Sequence, residues 1–133
     1  MKNGDGLGTK TAALVREMGR LDHCVLACDL KRAAEAKAVA PEMKICNMSR
    51  QVGTRRDYVD ATIAQGSDFI QMTLTQGLAG MADDVKRLHQ HGVKCNWFGT
   101  EDPALIRKLA DMGIDYILTD NLDVCLRVLA EKR

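Results

Sequence analysis

The sequence predicts an α/β fold built on a parallel sheet of about five strands, and three observations lead there. Short runs such as His23-Cys24-Val25-Leu26-Ala27-Cys28 are apolar throughout, as expected of parallel strands covered on both faces. Each such run is followed by a segment with helical spacing, and the strand-then-helix order recurs along the whole chain. A length of 133 residues suits one core, since a single domain usually takes about 100 to 200 residues, so residues 1–133 are expected to form a single domain.

Thr9 or Thr11 can cap a first helix reaching about Arg20, with Ala12, Val15 and Met18 as its apolar stripe. The first predicted strand ends at Asp29, whose favoured role is a cap on the next helix, with a rim carboxylate as the alternative. That helix, from Lys31 to about Val39, stops at Ala40-Pro41 because proline disfavours helical geometry in the residue before it. Met43 to Met48 reads as the second strand. After the polar loop SRQVGTRRD come a helix from Asp57 to about Gln65, a strand from Asp68 to Met72, a helix from about Ala79 to His91 and a strand from Val93 to Phe98. Asp102-Pro103 caps and opens a further helix, Gly113 ends it, and Ile114 to Leu118 forms the last predicted strand before a helix over about Leu122 to Glu131.

An internal echo accompanies this order. Gly66-Ser67-Asp68-Phe69-Ile70 and Gly113-Ile114-Asp115-Tyr116-Ile117 share Gly-x-Asp-aromatic-Ile at a spacing of 47 residues, where a helix hands over to a strand. Duplication explains it, and so do the common needs of such joints: a Gly to end the helix and an aromatic to pack below the sheet.

Composition excludes several function classes. With 19 Lys and Arg against 18 Asp and Glu, no overall field draws the chain to nucleic acid or anionic lipid. Aromatics at 4% are too few for a base-stacking surface, so no nucleic-acid partner is expected. The five cysteines, Cys24, Cys28, Cys46, Cys95 and Cys125, are odd in number and never spaced as CxxC, which suits reduced, buried thiols better than disulfides or zinc ligands. No signal-peptide core opens the chain and no run reaches the about 18 apolar residues of a membrane span, so a cytoplasmic location is expected.

The segment HQHGVKCNWFGTEDPALIRKLADMGIDYILTDNLDVCLRVL, with Gly92, Trp97, Gly113, Asp115, Thr119 and Asp120, resembles the C-terminal end of the glycerophosphodiester phosphodiesterases. That family reads h-x-x-G-x-x-v-x-x-W-T-v-N, then a helix, then G-V-D-G-I-I-T-D-x-P. More loosely, HCVLACDLKRAAEAKAVAPEMKICNM resembles its strand ending in Ser-Phe-Asp, the next helix and an Ala-Pro. The resemblance runs from about residue 9 and implies a partial TIM-type (β/α) barrel of about five parallel strands, lacking the first strands. It implies metal-dependent hydrolysis of glycerophosphodiesters to glycerol 3-phosphate and an alcohol, with a divalent cation, Mg or Ca, as cofactor.

The family's catalytic signatures have no counterpart in the sequence. There is no His-Arg-Gly, no Glu-x-Asp on a strand, no His-Asp and no Glu-x-Lys at a strand end; Glu35-Ala36-Lys37 has the letters but falls within a predicted helix. Those motifs supply the cation's ligands and the acid and base that phosphodiester hydrolysis needs, and His23, His89 and His91 lie in the wrong places to replace them. No catalytic residue and no metal ligand is therefore expected, and the isolated chain is expected to be inactive. The retained half departs too: Ser-Phe becomes Ala27-Cys28, and Trp-Thr-Val-Asn becomes Trp97-Phe98-Gly99-Thr100.

Candidate substrate-binding residues remain. By resemblance Trp97 packs against the alcohol portion of a substrate; equally, it is a core indole. Thr119 and Asp120 can orient a ligand hydroxyl at the rim, although capping of the last helix is the favoured role. Arg50 and Arg55 belong to the strongest positive patch, Ser49 to Arg56, which can hold a phosphate ahead of a helix N-terminus or be solvated surface. The alternative to an enzyme half is a non-catalytic half-barrel scaffold or an oligomer binding a phosphate ligand. Open sheet edges would lead either to pair with a second copy, so a homodimer is expected. A third architecture is a self-contained doubly wound sheet.

Overall fold

The computed structural model describes residues 4–49 and 53–131. Its elements are α1 (Leu7–Glu17), β1 (Val25–Cys28), α2 (Leu30–Val39), β2 (Lys44–Asn47), α3 (Arg55–Ala64), β3 (Phe69–Met72), α4 (Met81–Gln90), β4 (Lys94–Trp97), α5 (Pro103–Asp111), β5 (Tyr116–Ile117) and α6 (Leu122–Ala130). The fold is thus α/β, as the sequence predicts. All neighbouring strands are parallel and stand in the order β1-β2-β3-β4-β5. A doubly wound sheet reverses its strand order at a switch point, and this one does not, so the self-contained doubly wound architecture is excluded.

Sequential order decides which face is covered. Right-handed crossovers that always step the same way put every connecting helix on one side of the sheet. Burial follows this rule: Leu26, Cys28, Ile45, Ile70, Met72, Cys95 and Trp97 are buried on the helical side. Around β3 and β4 they pack with Tyr58 and Val59 of α3, Met81, Val85 and Leu88 of α4, and Leu109 of α5. The alternating positions Val25 and Ala27, Cys46, Phe69 and Gln71, Asn96 and Tyr116 instead line a concavity of about 440 Å³ on the other face. A closed (β/α) barrel fills this interior with layers of side chains from all its strands.

Local signals set the ends of several elements. Asp29 caps α2 by accepting from the Arg32 N–H, and Asp102 caps α5 with Pro103 in its first turn, as expected. Thr54 and Asp57 form a reciprocal capping box, so α3 begins ahead of the predicted Asp57, and the hydrogen bonds from Thr54 hold the Asp57 carboxyl below its ordinary range. The first helix also begins early, at Leu7, behind Gly6 in the left-handed region and with no side-chain cap; Thr9 and Thr11 lie inside it. The reason is close packing of α1 on α2. A Cβ on Gly8 would stand 2.4 Å from the Arg32 carbonyl oxygen, and the Gly8 N–H donates to Glu35 Oε2 at 3.2 Å.

The echoed segments do the same work twice. Asp68 exchanges main-chain contact with Ile45 (N to O 3.0 Å) while its carboxylate accepts the Ile45 N–H at 2.9 Å and lies 3.9 Å from Lys37 Nζ. Asp115 does likewise with Cys95, at 3.0 and 2.7 Å, and lies 2.9 Å from His89 Nε2. The aspartate is therefore a clip joining the start of one strand to its neighbour and to the helix that precedes that neighbour. The echoed aromatics, Phe69 and Tyr116, meet each other on the open face with ring centroids 5.9 Å apart.

None of the five cysteines is disulfide-bonded. Burial raises Cys28 from 9.0 to about 11 and Cys95 to about 12, with Asp29 and Asp115 respectively adding to the effect. The sign is fixed by the fold's preference for neutral thiols: this stability is fully present below the unfolded thiol value of 9.0 and is lost as pH rises through about 11 to 12. Denaturant titrations should show a loss of several kcal/mol across that window, reduced in Cys28→Ala and Cys95→Ala variants relative to their own neutral-pH values. Identical alkaline losses in the parent and both variants would refute this origin.

Candidate functional site

Sites in (β/α) barrels collect at the C-terminal ends of the strands, and hollows among the described residues lie at that rim here. One, of about 430 Å³, is lined by Phe98, Gly99, Glu101, Leu118, Thr119 and Asp120 among others. It forms because the ladder runs past the strands: Leu118 N–H donates to Trp97 O at 2.9 Å and Thr100 N–H to Leu118 O at 3.2 Å. Thr119 Oγ1 accepts from the Asn121 N–H at 3.1 Å and Thr100 Oγ1 from the Asp102 N–H at 3.2 Å, so both loops are pinned by their own hydroxyls. The cap of α6 is Asn121, accepting from the Val124 N–H, rather than Thr119 or Asp120. That leaves Asp120 beside Glu101 in the hollow, a carboxylate neighbour that the sequence reading did not single out.

The second rim hollow, of about 360 Å³, lies between α2 and α3 and is lined by Asp29, Leu30, Lys31, Ser49, Asp57 and Tyr58 among others. Ser49 Oγ accepts the Leu30 N–H at 3.0 Å, and Asn47 Oδ1 accepts the Ser49 N–H at 2.9 Å. Behind it a buried polar chain links Asn47 Nδ2 to Thr62 Oγ1 at 2.9 Å and Thr62 Oγ1 to the Tyr58 carbonyl at 2.7 Å. These bonds hold the end of β2 against α3.

The four candidate residues that are described do not converge. Thr119 and Asp120 share one hollow. Trp97 is fully buried in the core on the helical face, the place of a core indole, and its Nε1 has no hydrogen-bond partner. Packing an alcohol against it would require the core to open. Arg55 lines neither the sheet-face concavity nor either rim hollow, and its guanidinium is consumed by Asp84 Oδ2 at 2.7 Å, the Gln76 and Gly77 carbonyls at 3.0 Å each, and the Ala79 carbonyl. Its donors are thus directed at the protein, not at a ligand. Arg50 lies outside the described residues.

The fit of a cation is equally clear. Among the described residues, the one group of three His, Cys, Asp or Glu side chains with mutually close ligand atoms is His89, Cys95 and Asp115, at the opposite end of the strands from the rim. Among the described residues the rim therefore gathers no such group for the divalent cation implied by the sequence resemblance, and no hydrolytic step is routed through one. Also among the described residues, no helix is long and apolar enough to cross a membrane.

A singly wound parallel sheet with helices on one face, a bare concave face and hollows at its C-terminal rim is about half of a (β/α) barrel. The barrels it matches are those of glycerophosphodiester phosphodiesterases. It superposes on a candidate glycerophosphoryl diester phosphodiesterase from Silicibacter pomeroyi with a TM-score of 0.76 at 18% identity, covering 95% of this chain and 44% of that one. For a glycerophosphodiester phosphodiesterase from Parabacteroides distasonis the values are 0.77 and 16%, over 100% and 56%. For a candidate glycerophosphodiester phosphodiesterase from Galdieria sulphuraria they are 0.78 and 15%, over 97% and 52%. The chain thus spans about half the length of these structures. No protein-family model matches the sequence, and no curated protein matches it.

Proposed function

We propose that residues 1–133 are the C-terminal portion of a glycerophosphodiester phosphodiesterase-like barrel, whose metal ligands and acid and base come from another polypeptide segment. The observation that carries this reading is the bare concave face of a singly wound sheet, which in a barrel is covered by the remaining strands. On this reading the rim hollow supplies Thr119 and Asp120 for a hydroxyl of the glycerol or alcohol portion. Arg50 is the arginine of its loop left as a candidate for the phosphate, Arg55 being engaged elsewhere. Cysteines without disulfides support a reducing, cytoplasmic setting.

The test is release of glycerol 3-phosphate from glycerophosphocholine by the purified chain, with Mg²⁺ or Ca²⁺ and with a chelator as control. The expected result is no turnover. Chelator-sensitive turnover by the chain alone would overturn the assignment of the chemistry to another segment.

The same face favours a homodimer as the state of the chain when nothing else covers it. Val25 on edge strand β1 is 45% exposed and Tyr116 on edge strand β5 is 46% exposed, so both edges and the surface between them offer apolar groups to a second copy. In that state the chain is a half-barrel scaffold.

A further inference from the structure

His89 lies at the end of α4, Cys95 within β4 and Asp115 just before β5, and their ligand atoms all fall within 4.8 Å of one another. A hollow of about 230 Å³, lined by His89, Gly92, Val93, Lys94 and Asp115, reaches the His89 and Asp115 members of the group, with Cys95 buried behind them. Lys94 does not occupy it with its charge: its Nζ lies 3.4 Å from the Tyr116 hydroxyl and 5.8 Å above that ring, both belonging to the sheet's open face.

The first copy of the echo serves as an internal control. There the aspartate clip is completed by Lys37 and Ile45, and it holds the two strands through the same pair of main-chain bonds. Holding β4 to β5 therefore requires neither an imidazole nor a thiol. In the second copy both partners have become metal-ligating groups, brought to one carboxylate.

We propose that His89, Cys95 and Asp115 form a three-ligand site for a borderline-soft divalent cation of the zinc class, with its fourth position open to the adjoining hollow. Imidazole, thiolate and carboxylate together are a donor set that zinc accepts and that Mg²⁺ and Ca²⁺, which take oxygen ligands, do not prefer. Zinc bonds of about 2.0 to 2.3 Å place tetrahedral ligand atoms about 3.5 Å apart, so the His89–Asp115 hydrogen bond, 2.9 Å long, must open by about half an ångström while the widest pair of ligand atoms closes by up to about an ångström. His89, with 39% of its side chain exposed, has the freedom to do so. Asp115 keeps lone pairs beyond those given to the Cys95 N–H and to His89. Binding converts the Cys95 thiol to a metal thiolate and releases its proton to solvent, while His89 coordinates as neutral imidazole. The bound ion ties α4, β4 and β5 together at the end of the strands away from the rim.

The test uses the metal-stripped chain titrated with Co²⁺ and then Zn²⁺. One equivalent of Co²⁺ should produce a thiolate-to-metal charge-transfer band, Zn²⁺ should displace it, and saturating Zn²⁺ should raise Tm by several degrees. Cys95→Ala should abolish the band. His89→Lys, which installs the first copy's partner at a half-exposed position, should leave the fold intact and weaken binding more than about tenfold. No band, a band that survives Cys95→Ala, or a band and affinity unchanged in His89→Lys would each overturn the site. Should Cys95→Ala fail to fold, the His89→Lys titration decides alone.

Discussion

Replacing Arg55 with alanine is expected to lower stability by about 3 to 5 kcal/mol, the usual cost of removing one partner from a buried ion pair. The pair qualifies as buried, since the side chains of Arg55 and Asp84 are only 14% and 10% exposed. Asp84 lies in the first turn of α4 and is buried with Met81, Val85 and Leu88, so without the guanidinium its carboxylate stands without its ion-pair partner beside apolar neighbours. The loss extends further, because the same guanidinium donates to the carbonyls of Gln76, Gly77 and Ala79, and these bonds hold the β3–α4 connection against α3. Lysine offers a point charge in place of a planar fork and should recover less than half of the loss. Guanidinium titrations of Arg55→Ala, Arg55→Lys and the double variant Arg55→Ala with Asp84→Asn check this. Removing the stranded charge should restore part of the stability. A loss under about 1 kcal/mol in Arg55→Ala would show that the pair is solvated and the arginine available to a ligand after all.

Arg55 also illustrates what the sequence could not disclose. Three arginines in a polar loop read as a phosphate patch because the partner of Arg55, Asp84, stands 29 positions downstream. A signal was present: Met81, Asp84, Val85 and Leu88 share one stripe of α4, and an acid on an apolar stripe calls for a buried partner. The strand-then-helix order was legible because it rests on local chemistry, as at Asp29 and at Asp102-Pro103, where cap and breaker lie beside the element they bound. The start of α1 was not, since Gly8 is placed by the Arg32 backbone against which it packs, not by a neighbouring cap.

Trp97 shows how face assignment depends on topology. Its position near a strand end suits both a rim ring and a core ring, and only the winding of the sheet separates them. Once all helices lie on one side, the parity of β4 places Cys95 and Trp97 under the helices and Asn96 on the open face. The echo was legible as a pattern and misweighted in its parts: glycine and aromatic drew notice, whereas the aspartate makes the contacts that recur.

The open face leads to the second large effect, on assembly. Two copies related by a two-fold axis along the strand direction set β1 of one beside β5 of the other twice, keep every strand parallel, and satisfy both rows of edge hydrogen-bonding groups together. An arrangement that used only one edge would leave the other free to recruit further copies, so closure favours the dimer. Val25→Glu and Tyr116→Glu each place an unpaired carboxylate at both junctions; in the monomer Val25 is nearly half exposed and its substitution should change folding stability by less than about 0.5 kcal/mol, whereas Tyr116→Glu also gives up the Phe69 ring contact, at about 0.5 to 1.5 kcal/mol. Each substitution should weaken dimerisation by at least roughly 100-fold, equivalent to about 2.7 kcal/mol. Sedimentation equilibrium across micromolar concentrations distinguishes the outcomes. An unsubstituted chain that stays monomeric throughout would refute pairing through this face, and so would a dimer indifferent to both glutamates. A dimer that dissociates with either glutamate while the Val25→Glu monomer keeps its unfolding midpoint would place the second copy where a barrel keeps its other strands.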